Sequence, residues 1–189
     1  MKTVLCFGDS NTHGTPPMRE LREYGRHAPE IRWPGALAER LGPDWTVIEE
    51  GHPGRTTVHD DPIEGAHKNG FPALLASLET HRPIDHVILM LGTNDLKCRY
   101  SVTARDIAAS IEKLVLAIKS SPAAPDGSSP QILVVSPPPI LETGVLAEIF
   151  LGGAAKSADL AEHYLGVAGM HNCRFFDAGS VIESSSVDG

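Results

Sequence analysis

Five apolar, strand-like runs recur along the chain, with helical patterns between them. They cover residues 3–7, 45–49, 86–91, 131–135 and 173–176. The middle three are rich in Val, Ile and Leu without regular alternation, which is typical of strands covered on both faces of a parallel sheet. Strands that alternate with helices favour a doubly wound fold. We therefore predict a five-stranded parallel sheet in a three-layer α/β/α sandwich.

Helical periodicity predicts the segments that connect these strands. Apolar residues at helical spacing predict helices over 34–41 and 71–80, and a further helix lies within 145–168. The strongest pattern covers residues 104–119, where Thr103 is a plausible N-cap. One apolar stripe of this helix is formed by Ile107, Ile111, Leu114, Val115 and Ile118. Because there is no internal repeat and no domain boundary, we predict that residues 1–189 form a single domain.

Composition and charge exclude several classes of function. The net charge of −8 argues against a nucleic acid or an anionic membrane surface as partner. The three cysteines, Cys6, Cys98 and Cys173, are far apart and argue against a zinc site or a disulfide framework. No run approaches the roughly 20 apolar residues of a membrane span, and the first apolar run is too short for a signal peptide. We therefore expect a cytoplasmic protein.

Polar and small residues follow the predicted strands, at the edge where doubly wound sheets bind ligands. Gly8-Asp9-Ser10-Asn11 follows the first run, Gly54 lies in the loop after the second, and Gly92-Thr93-Asn94-Asp95 follows the third. A serine nucleophile needs a base and donors that hold an oxyanion. The backbone N–H groups of Ser10 and Gly54 and the side-chain amide of Asn94 are candidate donors. This pattern predicts that Ser10 is a nucleophile.

These loops resemble the sequence blocks of the SGNH (GDSL-type) hydrolase superfamily. Gly8-Asp9-Ser10 is similar to the first block, Gly54 to the glycine of the second, and Gly92-Thr93-Asn94-Asp95 to the third. Longer stretches, among them 88–95 and 175–182, resemble the arylesterase/acyltransferase branch. The resemblance implies a flavodoxin-like SGNH fold and a serine esterase that uses neither a cofactor nor a metal.

The resemblance also implies roles for individual residues. Ser10 would be the nucleophile, and Ser10, Gly54 and Asn94 would form the oxyanion hole. The last block of the family is Asp-x-x-His, and Asp188 matches its aspartate. The histidine would then fall at the second position after Gly189, so we expect residues 1–189 to lack the C-terminal end of the domain, with the catalytic histidine and the last helix. A further expectation is that three residues bind substrate: Asn11, Thr93 and Lys97.

The expected function is hydrolysis of short-chain acyl esters, whether aryl, alkyl or acetylated-sugar esters, through an acyl-enzyme. One alternative is an acyltransferase or perhydrolase that uses the same acyl-enzyme. The other is a catalytically inactive binding domain, if the histidine is truly absent. His13 and Thr15 stand where related acyltransferases carry tryptophans, and a wetter pocket favours water as the acceptor.

Other features receive more ordinary interpretations. The segment 15–33 is long for a βα loop and is either a pocket lid or a subunit contact, and we expect a homo-oligomer. Asp9, Asp95 and Asp177 are expected to hold loops rather than to do chemistry. A loose polar cluster is expected to be solvated rather than to form a site; it consists of His52, His59, Asp60 and Asp61.

Overall fold

A computed structural model describes all 189 residues and contains one parallel sheet of five strands. The strands are β1 (Lys2–Gly8), β2 (Trp45–Gly51), β3 (His86–Met90), β4 (Gln131–Ser136) and β5 (Arg174–Asp177). Their order across the sheet is β2-β1-β3-β4-β5, and every neighbouring pair is parallel. This is the flavodoxin-like order. The predicted α/β fold and its five strands are therefore confirmed.

Five α-helices connect the strands: α1 (Ser10–His13), α2 (Trp33–Leu41), α3 (Gly70–His81), α4 (Ala104–Lys119) and α5 (Gly153–Met170). The four longer helices were predicted, whereas α1 was not, because four residues carry no measurable periodicity. No helix is both long enough and apolar enough to cross a membrane.

The two faces of the sheet are covered unequally. Val87 and Leu89 of β3 point into a core of 25 buried residues, to which helices α3, α4 and α5 contribute. Ile88 and Met90 point to the opposite face, where they pack in a small cluster with Trp33 of α2. The side chains of a strand alternate between faces, so one strand supplies both cores. The three-layer arrangement leaves the carboxyl edge of the sheet uncovered by helices and available for loops.

Helix α4 begins at a capping box. Thr103 Oγ1 accepts a hydrogen bond from Asp106 N at 3.2 Å, and Asp106 Oδ2 accepts one from Thr103 N at 2.9 Å. These bonds satisfy N–H groups that a helix N-terminus leaves without partners. The predicted cap is therefore confirmed, and the apolar stripe of α4 is buried.

The loop after β3 is fixed against helix α5 through Gly92. Gly92 has a φ of +123°, in the left-handed region that favours glycine, and a Cβ there would lie 2.1 Å from Tyr164 Oη. Tyr164 is fully buried, and its hydroxyl donates a hydrogen bond to Leu91 O at 2.9 Å. This contact places the residues that follow Gly92 at the carboxyl edge of the sheet.

We expect Gly92→Ala to lower the free energy of unfolding by about 2 kcal/mol or more, because backbone strain and a steric clash with Tyr164 add together. The matched control is Gly127→Ala, since Gly127 has a φ of +79° and no atom within 4 Å of an added Cβ. It should cost about 1–2 kcal/mol from backbone strain alone. Urea unfolding of the three proteins measures both values, and equal losses in the two variants would contradict the role of the Tyr164 contact.

Candidate active site

One cavity of about 350 Å³ lies at the carboxyl edge of the sheet, among the loops that follow the strands. Its lining includes every residue that the sequence placed in a site: Ser10, Asn11, Gly54, Thr93, Asn94, Lys97 and Asp188. The parallel arrangement explains this convergence, because the carboxyl ends of all five strands meet at the same edge. The start of the long loop after α1 also lines the cavity, from Thr15 to Met18.

Ser10 is placed directly after β1, at the start of α1. Asp9 caps this short helix, since its Oδ1 accepts a hydrogen bond from Asn11 N at 2.9 Å. Two other serines line the cavity, and both are engaged: Ser184 Oγ donates to Pro139 O at 2.8 Å, and Ser185 Oγ accepts from Val187 N at 3.1 Å. The Ser10 hydroxyl makes no hydrogen bond to the protein, and Ser10 lines the cavity.

Gly54 and Asn94 line the same cavity as Ser10 and belong to two other loops. Gly54 has a φ of +80°, so glycine suits this turn beside the cavity. Asn94 is buried, and its Nδ2 donates to Arg55 O at 3.1 Å and lies 3.5 Å from Asp9 Oδ2. These contacts hold the amide group of Asn94 between the loop that carries Ser10 and the loop that carries Gly54.

A buried arginine links the ends of β1 and β2. Arg55 Nη1 donates to Gly8 O at 2.9 Å and also to Glu50 O, and its guanidinium carbon lies 4.2 Å from the ring centroid of Phe7. Burial lowers the pKa of Arg55 to about 10, although the carboxylates of Glu50 and Asp9 act in the opposite direction. Arg55 thereby fixes the positions of the two loops that carry Ser10 and Gly54.

Two buried carboxyl groups lie beneath the cavity. Burial raises the pKa of Asp9 to about 6 and that of Asp95 to about 7. Asp95 accepts hydrogen bonds from Thr57 N at 3.0 Å and from Thr57 Oγ1, which joins the loops after β2 and β3. These bonds lower the pKa of Asp95, but less than burial raises it. Both residues hold loops, as the sequence predicted.

The last residues of the chain close one side of the cavity. Asp188 Oδ2 accepts a hydrogen bond from Met18 N at 2.7 Å, and Gly189 O accepts one from Leu141 N at 3.1 Å. Asp177 instead accepts a hydrogen bond from Gly179 N at 3.0 Å and lies outside the cavity lining, so the prediction that it holds a loop is confirmed.

None of the nine histidines lines the cavity. His13 is the nearest to Ser10 in sequence, and its Nδ1 lies 3.0 Å from Thr15 Oγ1. Burial lowers the pKa of His13, and it lowers the pKa of His52 to about 4. The rings of His52 and His67 lie 5.7 Å apart. These histidines therefore pack beside the loops of the site without reaching its interior.

A charged wall is formed by Asp61, Glu64, Lys97 and Arg99, of which the sequence analysis had placed only Lys97 in the site. Asp61 was expected to be solvated, and this was wrong: it is 2% exposed and accepts hydrogen bonds from Tyr100 Oη at 2.8 Å and Arg99 Nη1 at 3.2 Å. Burial acts to raise its pKa, but hydrogen bonds from the N–H groups of Glu64 and Ile63 and from Tyr100, together with the charge of Lys97, outweigh burial and bring the pKa to about 2. Glu64, Lys97 and Arg99 line the cavity.

Comparison with known proteins agrees with this geometry. The model of the GDSL-like lipase/acylhydrolase family matches residues 6–188. The chain belongs to this family. The solved aryl esterase of M. smegmatis is similar over 100% of this chain and 89% of its own, with 43% identity and a TM-score of 0.94. Est24, a carbohydrate acetylesterase from Sinorhizobium meliloti, has 39% identity and a TM-score of 0.94 over the same shares. No curated protein sequence matches.

Family membership and these structural neighbours make the protein an ester hydrolase with the SGNH fold. The sequence resemblance is therefore confirmed at the level of family, fold and reaction class.

The buried carboxyl of Asp95 predicts a pH-dependent stability. Because its folded-state pKa lies above the ordinary 3.8, its protonated form stabilises the fold fully below about pH 4, and this contribution is lost as the pH rises towards 7. The unfolding free energy of Asp95→Asn, relative to that of the parent, should therefore rise across this window, by up to about 1.4 kcal/mol per pH unit. Urea unfolding at successive pH values checks this, and parallel curves for the two proteins would contradict it.

Proposed function

We propose that the protein is a cofactor-independent serine esterase with Ser10 as its nucleophile. The observation that carries the proposal is the free hydroxyl of Ser10 in a cavity that Gly54 and Asn94 also line. The other two serines of that cavity have hydroxyl groups engaged within the protein. This arrangement supports a nucleophile with oxyanion donors beside it.

In the proposed mechanism Ser10 Oγ attacks the ester carbonyl carbon, and the base takes the hydroxyl proton. The negative charge that develops on the carbonyl oxygen is held by the N–H groups of Ser10 and Gly54 and by the amide of Asn94. An amide nitrogen has two protons, so Asn94 can keep its bond to Arg55 O and donate the second proton to this oxygen in place of its long contact, 3.5 Å, with Asp9 Oδ2. The alcohol leaves with the proton, and water then hydrolyses the acyl-enzyme to release the carboxylic acid.

We further propose that the base is a histidine at the second position after Gly189, oriented by Asp188. The sequence block Asp-x-x-His supports this position, as does the placement of Asp188 and Gly189 in the cavity lining. Residues that follow Gly189 would begin at the edge of the cavity. Asp188 accepts only one hydrogen bond, from Met18 N, so it retains lone pairs for an imidazole N–H.

The proposed substrates are short-chain acyl esters with aryl, alkyl or acetylated-sugar alcohol portions. The similar proteins named above are an aryl esterase and a carbohydrate acetylesterase, which supports this range. A cavity of about 350 Å³ accommodates a small ester. Thr15 lines the cavity and adds polar surface close to Ser10, which supports water rather than another alcohol as the acyl acceptor.

Ser10→Ala tests the proposed nucleophile directly. We expect the hydrolysis of p-nitrophenyl acetate to fall at least about 10³-fold, since nothing else in the cavity replaces the hydroxyl. The matched control is Ser184→Ala, which removes a hydroxyl from the same lining and should retain most of the activity. Equal rates for Ser10→Ala and the parent would refute the proposal.

Asn94→Ala tests the oxyanion hole. We expect kcat to fall by about 10²–10³ while KM changes far less, because the lost hydrogen bond forms mainly in the transition state. Asn11→Ala is the control, because Asn11 lines the same cavity and its Nδ2 donates only to Thr93 Oγ1, at 3.4 Å. It should raise KM more than it lowers kcat. Steady-state kinetics separate the two effects, and the reverse pattern would contradict both assignments.

A further inference from the structure

Glu64 is the carboxylate through which the charged wall meets the cavity. Its Oε1 lies 2.7 Å from Lys97 Nζ and 3.5 Å from Arg99 Nη2, and its Oε2 lies 3.8 Å from Lys68 Nζ. The same Oε2 is 2.8 Å from the point where a Cβ on Gly54 would stand. Glu64 therefore lies directly beside the glycine that we assign to the oxyanion hole.

The two carboxylates of the wall differ in their access to solvent. The Asp61 side chain is fully buried and neutralises Lys97 and Arg99 from behind, at 3.6 and 3.2 Å. The Glu64 side chain is 37% exposed, whereas those of Lys97 and Arg99 are only 6% and 16% exposed. A ligand in the cavity therefore meets the negative charge of Glu64 before it meets either cation.

The rest of the lining does not offset this negative charge. Glu183 and Asp188 add two more carboxylates to the cavity, while Lys97 and Arg99 are its only cations. Much of the surface beside these charges is apolar, formed by Ile140, Leu146, Ile149 and Phe150. The cavity therefore combines an apolar surface with a net negative charge, a combination suited to neutral ligands.

We propose that Glu64 sets the charge selectivity of the enzyme, so that esters with a neutral alcohol portion are hydrolysed in preference to those that carry a carboxylate. This inference rests on the proposed esterase function of Ser10. An acetyl group is small, so in an acetyl ester most of the cavity receives the alcohol portion. A carboxylate on that portion finds no unpaired cation, because Glu64 and Asp61 pair with Lys97 and Arg99, while Glu183 and Asp188 add further negative charge to the lining.

The test compares two acetyl esters that differ in one charge: 4-acetoxybenzoate, which is anionic at neutral pH, and its methyl ester, which is neutral. The measured quantity is the ratio of kcat/KM for the anionic ester to that for the neutral ester. We expect Glu64→Gln to raise this ratio about tenfold, because it removes one charge at close range and releases two partly buried cations. Arg99→Gln removes a positive charge and should lower this ratio. Two substitutions that only disturbed the structure would have no reason to shift the ratio in opposite directions.

The matched control is Glu183→Gln. Glu183 also lines the cavity, but it is exposed and makes no ion pair, so solvent screens its charge and the ratio should change much less. A ratio in Glu64→Gln that stays at the parent value, or that Glu183→Gln matches, would overturn the inference.

A second measurement separates this inference from the proposed function. Calorimetric titration with 4-hydroxybenzoate and methyl 4-hydroxybenzoate compares the same charge difference without turnover. Glu64→Gln should strengthen binding of the anionic phenol relative to the neutral one, and an unchanged relative affinity would again overturn the inference.

If Ser10→Ala retains full activity, the esterase proposal fails, while these titrations still decide the role of Glu64. If Ser10 is essential and both ratios stay unchanged, only the role of Glu64 fails.

Discussion

The buried guanidinium of Arg55 is the interaction on which the arrangement of the site depends. Its Nη1 binds the carbonyl oxygen of Gly8, two residues before Ser10, and its own backbone follows Gly54 directly. Its carbonyl oxygen accepts a hydrogen bond from Asn94 Nδ2. One residue therefore touches the three loops that supply the proposed nucleophile and oxyanion donors. A buried cation is tolerated only with strong acceptors around it, and here backbone carbonyl groups and the face of Phe7 serve that purpose.

The carboxyl groups in this region differ in pKa according to their burial and the hydrogen-bond donors around them. Asp9 and Asp95 lie beneath the cavity, where burial outweighs their hydrogen bonds and raises their pKa values to about 6 and about 7. Asp61 has backbone N–H groups, a phenol and two cations around it, and its pKa is about 2. The region beneath Ser10 thus shifts its carboxyl groups towards the neutral form, whereas the wall of the cavity stabilises a carboxylate.

The fold and the centre of the site could be predicted from sequence for one physical reason. Strand-like and helical runs alternate clearly, and parallel strands bring their following loops to one edge, so Ser10, Gly54 and Asn94 had to lie near one another. The charged wall could not be predicted in this way. Asp61 and Arg99 are 38 residues apart and belong to irregular segments, where no periodicity indicates burial. Helix α1 was missed because one turn of helix leaves no periodic pattern.

The hydrogen bond between Met18 N and Asp188 has a consequence for the order in which the protein folds during its synthesis. It joins residues that are 170 positions apart, and β1, which precedes the other four strands along the chain, lies between β2 and β3 in the finished sheet. Contacts of such long sequence separation form late, because loop-closure entropy opposes them until the intervening chain is ordered. During synthesis on the ribosome, the loop that carries Ser10 therefore emerges well before the wall to which Asp188 contributes, and that wall forms only when this distant segment has docked. Assembly of the cavity is therefore coupled to the docking of a segment that is synthesised long after Ser10.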